Sequence, residues 1–224
     1  MPTVAAVYTA LSIVDSIKDL FAEILPDVRL ISIADDSLIQ DVIAADEVTP
    51  AVMRRLVAYY QAAEQTGADL IFNTCSSVGE IAVLGQQFVD VPLIQIDHAM
   101  AETAVSESNN IGVLATLPTT LGPTTRLVRV KAAAADRPVT VHEGLAAGAY
   151  QALQAGDSEE HDRRILAAAE ELADDVEIFL LAQASMGRMQ ETLASATGKQ
   201  VLTSPRLGVL SVARHLEALV SKDS

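Results

Sequence analysis

Two stretches of this sequence resemble each other: ADLIFNTCSSVGEI at residues 68–81 and VEIFLLAQASMGRM at residues 176–189. Each passes from an acidic residue through an apolar segment into a loop of small and polar residues. This pattern predicts a buried strand that ends in a turn. When the stretches are aligned, Cys75, the only cysteine in the sequence, falls on Gln183. The repeat predicts two halves of similar build.

A second pair of segments repeats at nearly the same separation along the chain. VAAVYTALS at 4–12 aligns with IGVLATLPT at 111–119, which places Thr9 on Thr116. The alternative is chance similarity between degenerate strand-and-loop patterns, and two matches at a common separation weigh against it.

Strand-like and helical segments alternate along the whole chain, which is typical of βαβ units and parallel sheets. Helical periodicity is clear, for example, at 52–65 and 163–176. The strand-like runs lie at 3–9, 28–33, 69–74, 91–96, 110–116, 139–143, 176–183 and 200–203.

We therefore expect an α/β fold of two pseudo-symmetric Rossmann-like halves, each a four-stranded parallel sheet flanked by helices. Residues 1–96 with 205–224 should form the first half, and residues 97–204 the second. Ligands of open α/β sheets bind at the carboxyl ends of the strands. We expect the active site in a cleft between the halves, lined by the loops at 9–12, 74–79, 116–120 and 183–187.

Composition limits the function classes. Half of the 224 residues are hydrophobic and the net charge is −15, so we expect a globular protein that binds neither nucleic acid nor anionic membranes. The first 17 residues contain no Lys or Arg, and no apolar run approaches membrane-spanning length. Together with the lone cysteine, this favours a cytoplasmic protein. We also expect a homo-oligomer.

The sequence offers no cofactor motif. GxGxxG and GxxxxGK[ST] are both absent, and no histidine pair has metal-ligand spacing, so we expect neither a nucleotide cofactor nor a metal. His161 and His215 lie in helical segments, where we expect them to be solvated or to cap. Arg54 and Arg55 are expected on an exposed helix face.

The loops resemble those of the aspartate/glutamate/hydantoin racemase superfamily, which also contains maleate isomerases and arylmalonate decarboxylases. NTC at 73–75 is similar to its first cysteine motif, and IGVLATLPTT at 111–120 to the opening of its second half. LLAQASMG at 180–187 stands where the second cysteine motif belongs. In two-cysteine racemases one thiol removes a proton and the opposite thiol delivers one. A thiol/thiol racemase is therefore excluded here, because the second position is Gln183.

The resemblance implies catalytic roles for Cys75 and Gln183 and a small carboxylate as substrate. Gln183 could orient a carbonyl or carboxylate, but an amide cannot act as a general acid or base. The implied substrate-binding residues are Thr9, Thr74, Ser76, Ser77, Thr116, Thr119, Ala184 and Ser185.

Each of these residues also has a structural interpretation. A lone cysteine is often a small buried hydrophobe, but polar neighbours surround Cys75, and the first amides of a following helix would stabilise its thiolate. The hydroxyls of Thr74, Ser76 and Ser77 could instead cap that helix.

The sequence thus predicts a cofactor-independent isomerase or racemase-type enzyme that uses one cysteine. Two alternatives remain: a decarboxylase or lyase that protonates a carbanion on one face, and a small-acid-binding protein without catalysis.

Overall fold

The first sheet surrounds the strand that leads to Cys75. A computed structural model describes residues 1–222, and in it the strands pair in parallel in the order β2-β1-β3-β4. Elements in this part of the chain are β1 Thr3–Tyr8, α1 Val14–Ile24, β2 Arg29–Ala34, α2 Ser37–Ala45, α3 Pro50–Gln65, β3 Leu70–Asn73, α4 Gly79–Gly85 and β4 Leu93–Gln95.

Helices cover both faces of this sheet. On one face, the buried side chains of α3 recur at helical spacing, at Val52, Leu56, Tyr60 and Ala63, and they pack with Ile71 of β3. On the other face, Phe72 lies 6.0 Å from the ring of Phe21 in α1. Because strands covered on both faces have no polar side, every residue of β1 and of β3 is buried.

The second sheet repeats this arrangement, in the order β6-β5-β7-β8 with all pairs parallel. Its strand order is that of the first sheet with each strand replaced by its counterpart. The elements are α5 His98–Glu107, β5 Asn110–Ala115, α6 Pro118–Ala134, β6 Thr140–Leu145, α7 Ala149–Gln154, α8 Ser158–Leu172, β7 Ile178–Leu181, α9 Gln190–Thr197, β8 Gln200–Thr203 and α10 Ser204–Lys222.

Short 3-10 helices follow several strands, at Leu11–Ile13, Ser76–Val78, Gln86–Phe88 and Ala184–Met189. The chain divides into two units: one contains Met1–Ile96 and the segment that begins at Pro205, and the other contains Asp97–Ser204. Within residues 1–222, no helix has the length and apolar character needed to cross a bilayer.

The predicted fold class of two four-stranded parallel sheets flanked by helices is confirmed. All eight predicted strands form, with ends that differ by a few residues because turn chemistry locates a boundary only approximately. The cleft expected between the halves stays a prediction.

Candidate active site

Cys75 lies in the loop that follows β3, two residues after the strand ends at Asn73. Its polar neighbours Asn73, Thr74, Ser76 and Ser77 are buried, whereas Cys75 itself is half-buried. The loop therefore turns its polar residues inward and leaves Cys75 half-buried, packed against the core of the first unit.

The helix predicted to follow the thiol begins later than expected. Cys75 precedes a three-residue 3-10 turn, and α4 starts only at Gly79. No side chain caps either element at its first residue, so the predicted capping by hydroxyls is not observed at these two positions.

Two buried side chains hold the backbone of Cys75. The hydroxyl of Tyr60 in α3 donates to Asn73 Oδ1 at 3.1 Å, and Asn73 Nδ2 donates to the Cys75 carbonyl at 3.0 Å. Tyr60 and Asn73 are both fully buried, so water does not compete for these bonds. These two hydrogen bonds fix the backbone of the loop at Cys75.

Burial is also the main cause that raises the pKa of Tyr60 well above its usual value, and the nearby Cys75 adds to the shift. Tyr60 therefore stays protonated at neutral pH and acts as a hydrogen-bond donor. Its ring lies against Gly85 of α4, where a Cβ would come within 2.6 Å of ring carbon Cδ2. Sequence reasoning missed Tyr60, although its spacing from Leu56 and Val52 marks it as a core-facing position.

The other predicted residues of the first unit lie on the same edge of the sheet. The hydroxyl of Thr74 donates to the carbonyl of Val7 at 3.0 Å, and its backbone amide donates to the same atom at 3.2 Å. Thr74 thereby joins the end of β3 to β1, and its single O–H is already used. Thr9, directly after β1, and Ser76 are buried.

An ionic cluster follows β2 at this edge. Asp35 accepts hydrogen bonds from Ser37 at 2.6 Å and from Tyr59 at 2.6 Å, and it pairs with Arg55. Burial of Asp35 opposes its ionisation, but the three partners outweigh that effect and lower its pKa to about 2. Arg55 is thus engaged by Asp35 and Asp41 rather than simply exposed.

In the second unit, Gln183 lies in the loop after β7 and contacts the end of β5. Its Oε1 accepts from the backbone amide of Thr116 at 2.6 Å and from the Thr116 hydroxyl at 3.0 Å. Thr116 is buried and Gln183 is half-buried. Two residues that the sequence assigned to different roles therefore form one hydrogen-bonded pair.

The remaining predicted residues flank this pair. Thr119 lies in the first turn of α6, whose first residue is Pro118 and whose cap position, Leu117, has no side-chain cap. The hydroxyl oxygen of Thr119 is shielded from solvent and has no hydrogen-bond partner within residues 1–222. Ala184 is half-buried and Ser185 is exposed.

Arg188 anchors the far end of the Gln183 loop to α8. It pairs with Asp162, and Asp162 lies 2.7 Å from Nδ1 of His161. The expectation of a solvated His161 is wrong, because this side chain is buried on the face that α8 shares with Ile165 and Ala169. In the described part of the chain, no group of three or more His, Cys, Asp or Glu side chains could hold a metal ion.

Comparison with known proteins identifies the family. The model of the Asp/Glu/hydantoin racemase family matches residues 5–212, which is nearly the whole chain. The chain belongs to this family. Membership in this superfamily supports a racemase-like or isomerase-like function. No curated protein matches the sequence.

Several solved structures share the fold at low sequence identity. Glutamate racemase isoform RacE1 from Bacillus anthracis superimposes with a TM-score of 0.75 at 12% identity, covering 97% of this chain and 82% of that one. For allantoin racemase from Klebsiella pneumoniae the TM-score is 0.67 at 13% identity, with coverage of 100% and 89%. Unliganded arylmalonate decarboxylase superimposes with a TM-score of 0.56 at 12% identity, covering 96% of this chain and 92% of that one. At these identities the likeness supports the fold alone.

Proposed function

We propose that this chain is a cofactor-independent isomerase of the racemase type, which acts on a small amino, hydroxy or unsaturated acid. Cys75 is the group that takes a proton from carbon or returns one to it. The observation that carries the proposal is the position of Cys75. This half-buried cysteine follows the carboxyl end of a central strand, and buried Asn73 donates a hydrogen bond to its backbone carbonyl. Membership in the Asp/Glu/hydantoin racemase family supports a racemase-type or isomerase-type reaction.

The chemistry needs a base of moderate strength next to the reacting carbon. A thiolate can remove the proton next to a carboxylate, and the bonding electrons then move onto the carboxylate oxygens as an enolate. Return of the proton from the thiol restores the acid and regenerates the thiolate. Hydrogen-bond donors aimed at the developing oxygen charge lower the barrier. Because the thiol itself transfers the proton, no electron-sink cofactor is required.

A second candidate is a decarboxylase or lyase, and Gln183 is the observation that favours it. The repeat aligns Gln183 with Cys75, and an amide cannot supply a proton at neutral pH. A reaction in which a leaving group generates the carbanion needs a proton on one face only, and Cys75 alone could provide it. In the isomerase, by contrast, the same thiol removes the proton and returns it, so a change of configuration requires the planar enolate to turn over in the site before the proton comes back.

Solvent deuterium incorporation distinguishes these functions. The protein would be incubated in D₂O with small amino, hydroxy, unsaturated and malonic acids, and the products followed by ¹H NMR. An isomerase incorporates deuterium and changes configuration or double-bond geometry, whereas a decarboxylase releases CO₂ and gives a product with one deuterium.

Thiol labelling provides the test against a non-catalytic binding protein. For an enzyme, we expect iodoacetamide to alkylate Cys75 rapidly and the substrate found in the screen to protect it. Ser106→Ala is the matched control, since it changes an exposed small residue of α5 outside both loops. If no acid incorporates deuterium and labelling is slow and unprotected, the proposed function is wrong.

A further inference from the structure

The orientation of the Gln183 amide is determined by chemistry as well as by geometry. A backbone N–H can only donate, so the Gln183 atom 2.6 Å from the Thr116 amide must be the acceptor, Oε1. The Thr116 hydroxyl donates to the same oxygen at 3.0 Å. The Nε2 group with its two hydrogens is consequently directed away from Thr116.

This arrangement moves the donor function from Thr116 to Gln183. Both donors of Thr116, the backbone amide and the hydroxyl, are used by Oε1. Thr116 is also buried, whereas Gln183 is half-buried. The group that this pair offers to a ligand is therefore the Gln183 amide, with Thr116 as the residue that positions it.

The surrounding loops favour an acceptor as the ligand group. Neither the loop at 116–120 nor the loop at 182–187 contains a charged residue, and the nearest cation in sequence, Arg188, is engaged by Asp162. Within these two loops, the groups available to hold an anion are therefore neutral N–H and O–H donors, and Nε2 supplies two of them.

We infer that Gln183 binds a carboxylate or enolate oxygen of the substrate through its Nε2 hydrogens, in an orientation imposed by Thr116. The inference rests on the proposed function, which it deepens by assigning Gln183 a binding role and no proton transfer. It also explains how a family member can use glutamine at this position: the residue stabilises oxygen charge instead of exchanging a proton.

The test measures binding, with malonate and maleate as the probes, by isothermal titration of the full chain. Gln183→Met keeps the length of the side chain and removes the donors. Gln183→Glu keeps an acceptor for both Thr116 donors but presents a second oxygen in place of Nε2. We expect each variant to weaken binding of the probe by about 10- to 100-fold, the effect of losing a hydrogen bond to a charged group.

Two further variants separate positioning from binding. Thr116→Val removes the hydroxyl donor and leaves the backbone amide bond, so we expect a smaller loss of affinity than for Gln183→Met. Ser106→Ala, at an exposed position of α5 outside both loops, should bind both probes as the wild type does. If Gln183→Met is not folded by circular dichroism, Gln183→Glu alone decides, because it retains the contact with Thr116.

The outcomes of this test and of the proposed function are distinguishable. Binding lost in the Gln183 variants supports the inference even if no acid is turned over, in which case only the proposed reaction fails. If the wild type binds neither probe, or if Gln183→Met binds both with unchanged affinity, the inference is overturned. Turnover by Cys75 with an unchanged KM in Gln183→Met would overturn it while leaving the proposed function intact.

Discussion

Tyr60→Phe tests whether a hydrogen bond from α3 fixes the loop that contains Cys75. The substitution keeps the ring that packs against Gly85 and removes only the hydroxyl that donates to Asn73. Because Tyr60 and Asn73 are fully buried, the Asn73 oxygen would lose this donor where water cannot replace it. Such an unsatisfied group costs about 1–3 kcal/mol of unfolding free energy.

Urea unfolding followed by circular dichroism measures this loss. Tyr150→Phe is the matched control, since it removes the same hydroxyl from a half-buried tyrosine in α7, and we expect it to change the unfolding free energy by less than Tyr60→Phe does. We also expect iodoacetamide to alkylate Cys75 faster in Tyr60→Phe, because the loop that half-buries the thiol is held less firmly. An unfolding free energy and an alkylation rate that both equal those of the wild type would refute the role of Tyr60.

Three other substitutions test separate parts of the account. Gln183→Cys restores the second thiol of two-cysteine racemases. For a substrate that the wild type exchanges on one face, ¹H NMR in D₂O should show exchange on the second face as well; unchanged exchange would count against the alignment of Gln183 with the second cysteine position. Asp35→Asn should lower the unfolding free energy at pH 7 by about 1–3 kcal/mol. Because the pKa of Asp35 is lowered to about 2, the difference in unfolding free energy between wild type and variant should disappear as pH falls from about 4 toward 2. A difference that does not depend on pH would exclude the charge of Asp35 as its cause. Gly85→Ala should destabilise the fold by about 1–3 kcal/mol, despite the better helix propensity of alanine, because its Cβ meets the ring of Tyr60; a stabilised variant would contradict this contact.

Much of the fold follows from local patterns. An apolar run followed by a small polar loop describes β3 and β7 equally well, and the alignment of the two stretches anticipates that the second sheet repeats the strand order of the first. The position of Cys75 after a buried strand is equally local, since it depends only on where the run Leu70–Asn73 ends.

The partners within the site depend on contacts between distant residues, which local patterns do not contain. Thr116 and Gln183 are far apart in sequence and meet only because β5 pairs directly with β7. Arg55 was expected on an exposed helix face, because its partner Asp35 lies in a different segment of the chain.

His161 illustrates the opposite error, in which a polar residue type was given more weight than its position. Its spacing from Ile165 and Ala169 places it on the core-facing side of α8, where the ring Nδ1 donates to Asp162 and Asp162 in turn pairs with Arg188. Burial of a polar ring is tolerated when such partners are present.

The most direct test of the central claim is deuterium incorporation by Cys75→Ser, measured on the acid that the wild type is found to turn over. The substitution is nearly isosteric, so the protein should remain folded, with a change in unfolding free energy within about 1–2 kcal/mol. A serine hydroxyl is a far weaker acid and nucleophile than a thiol, and we expect incorporation to be abolished. Incorporation at the wild-type rate by folded Cys75→Ser would contradict the claim and leave Cys75 as a small residue that fills a turn.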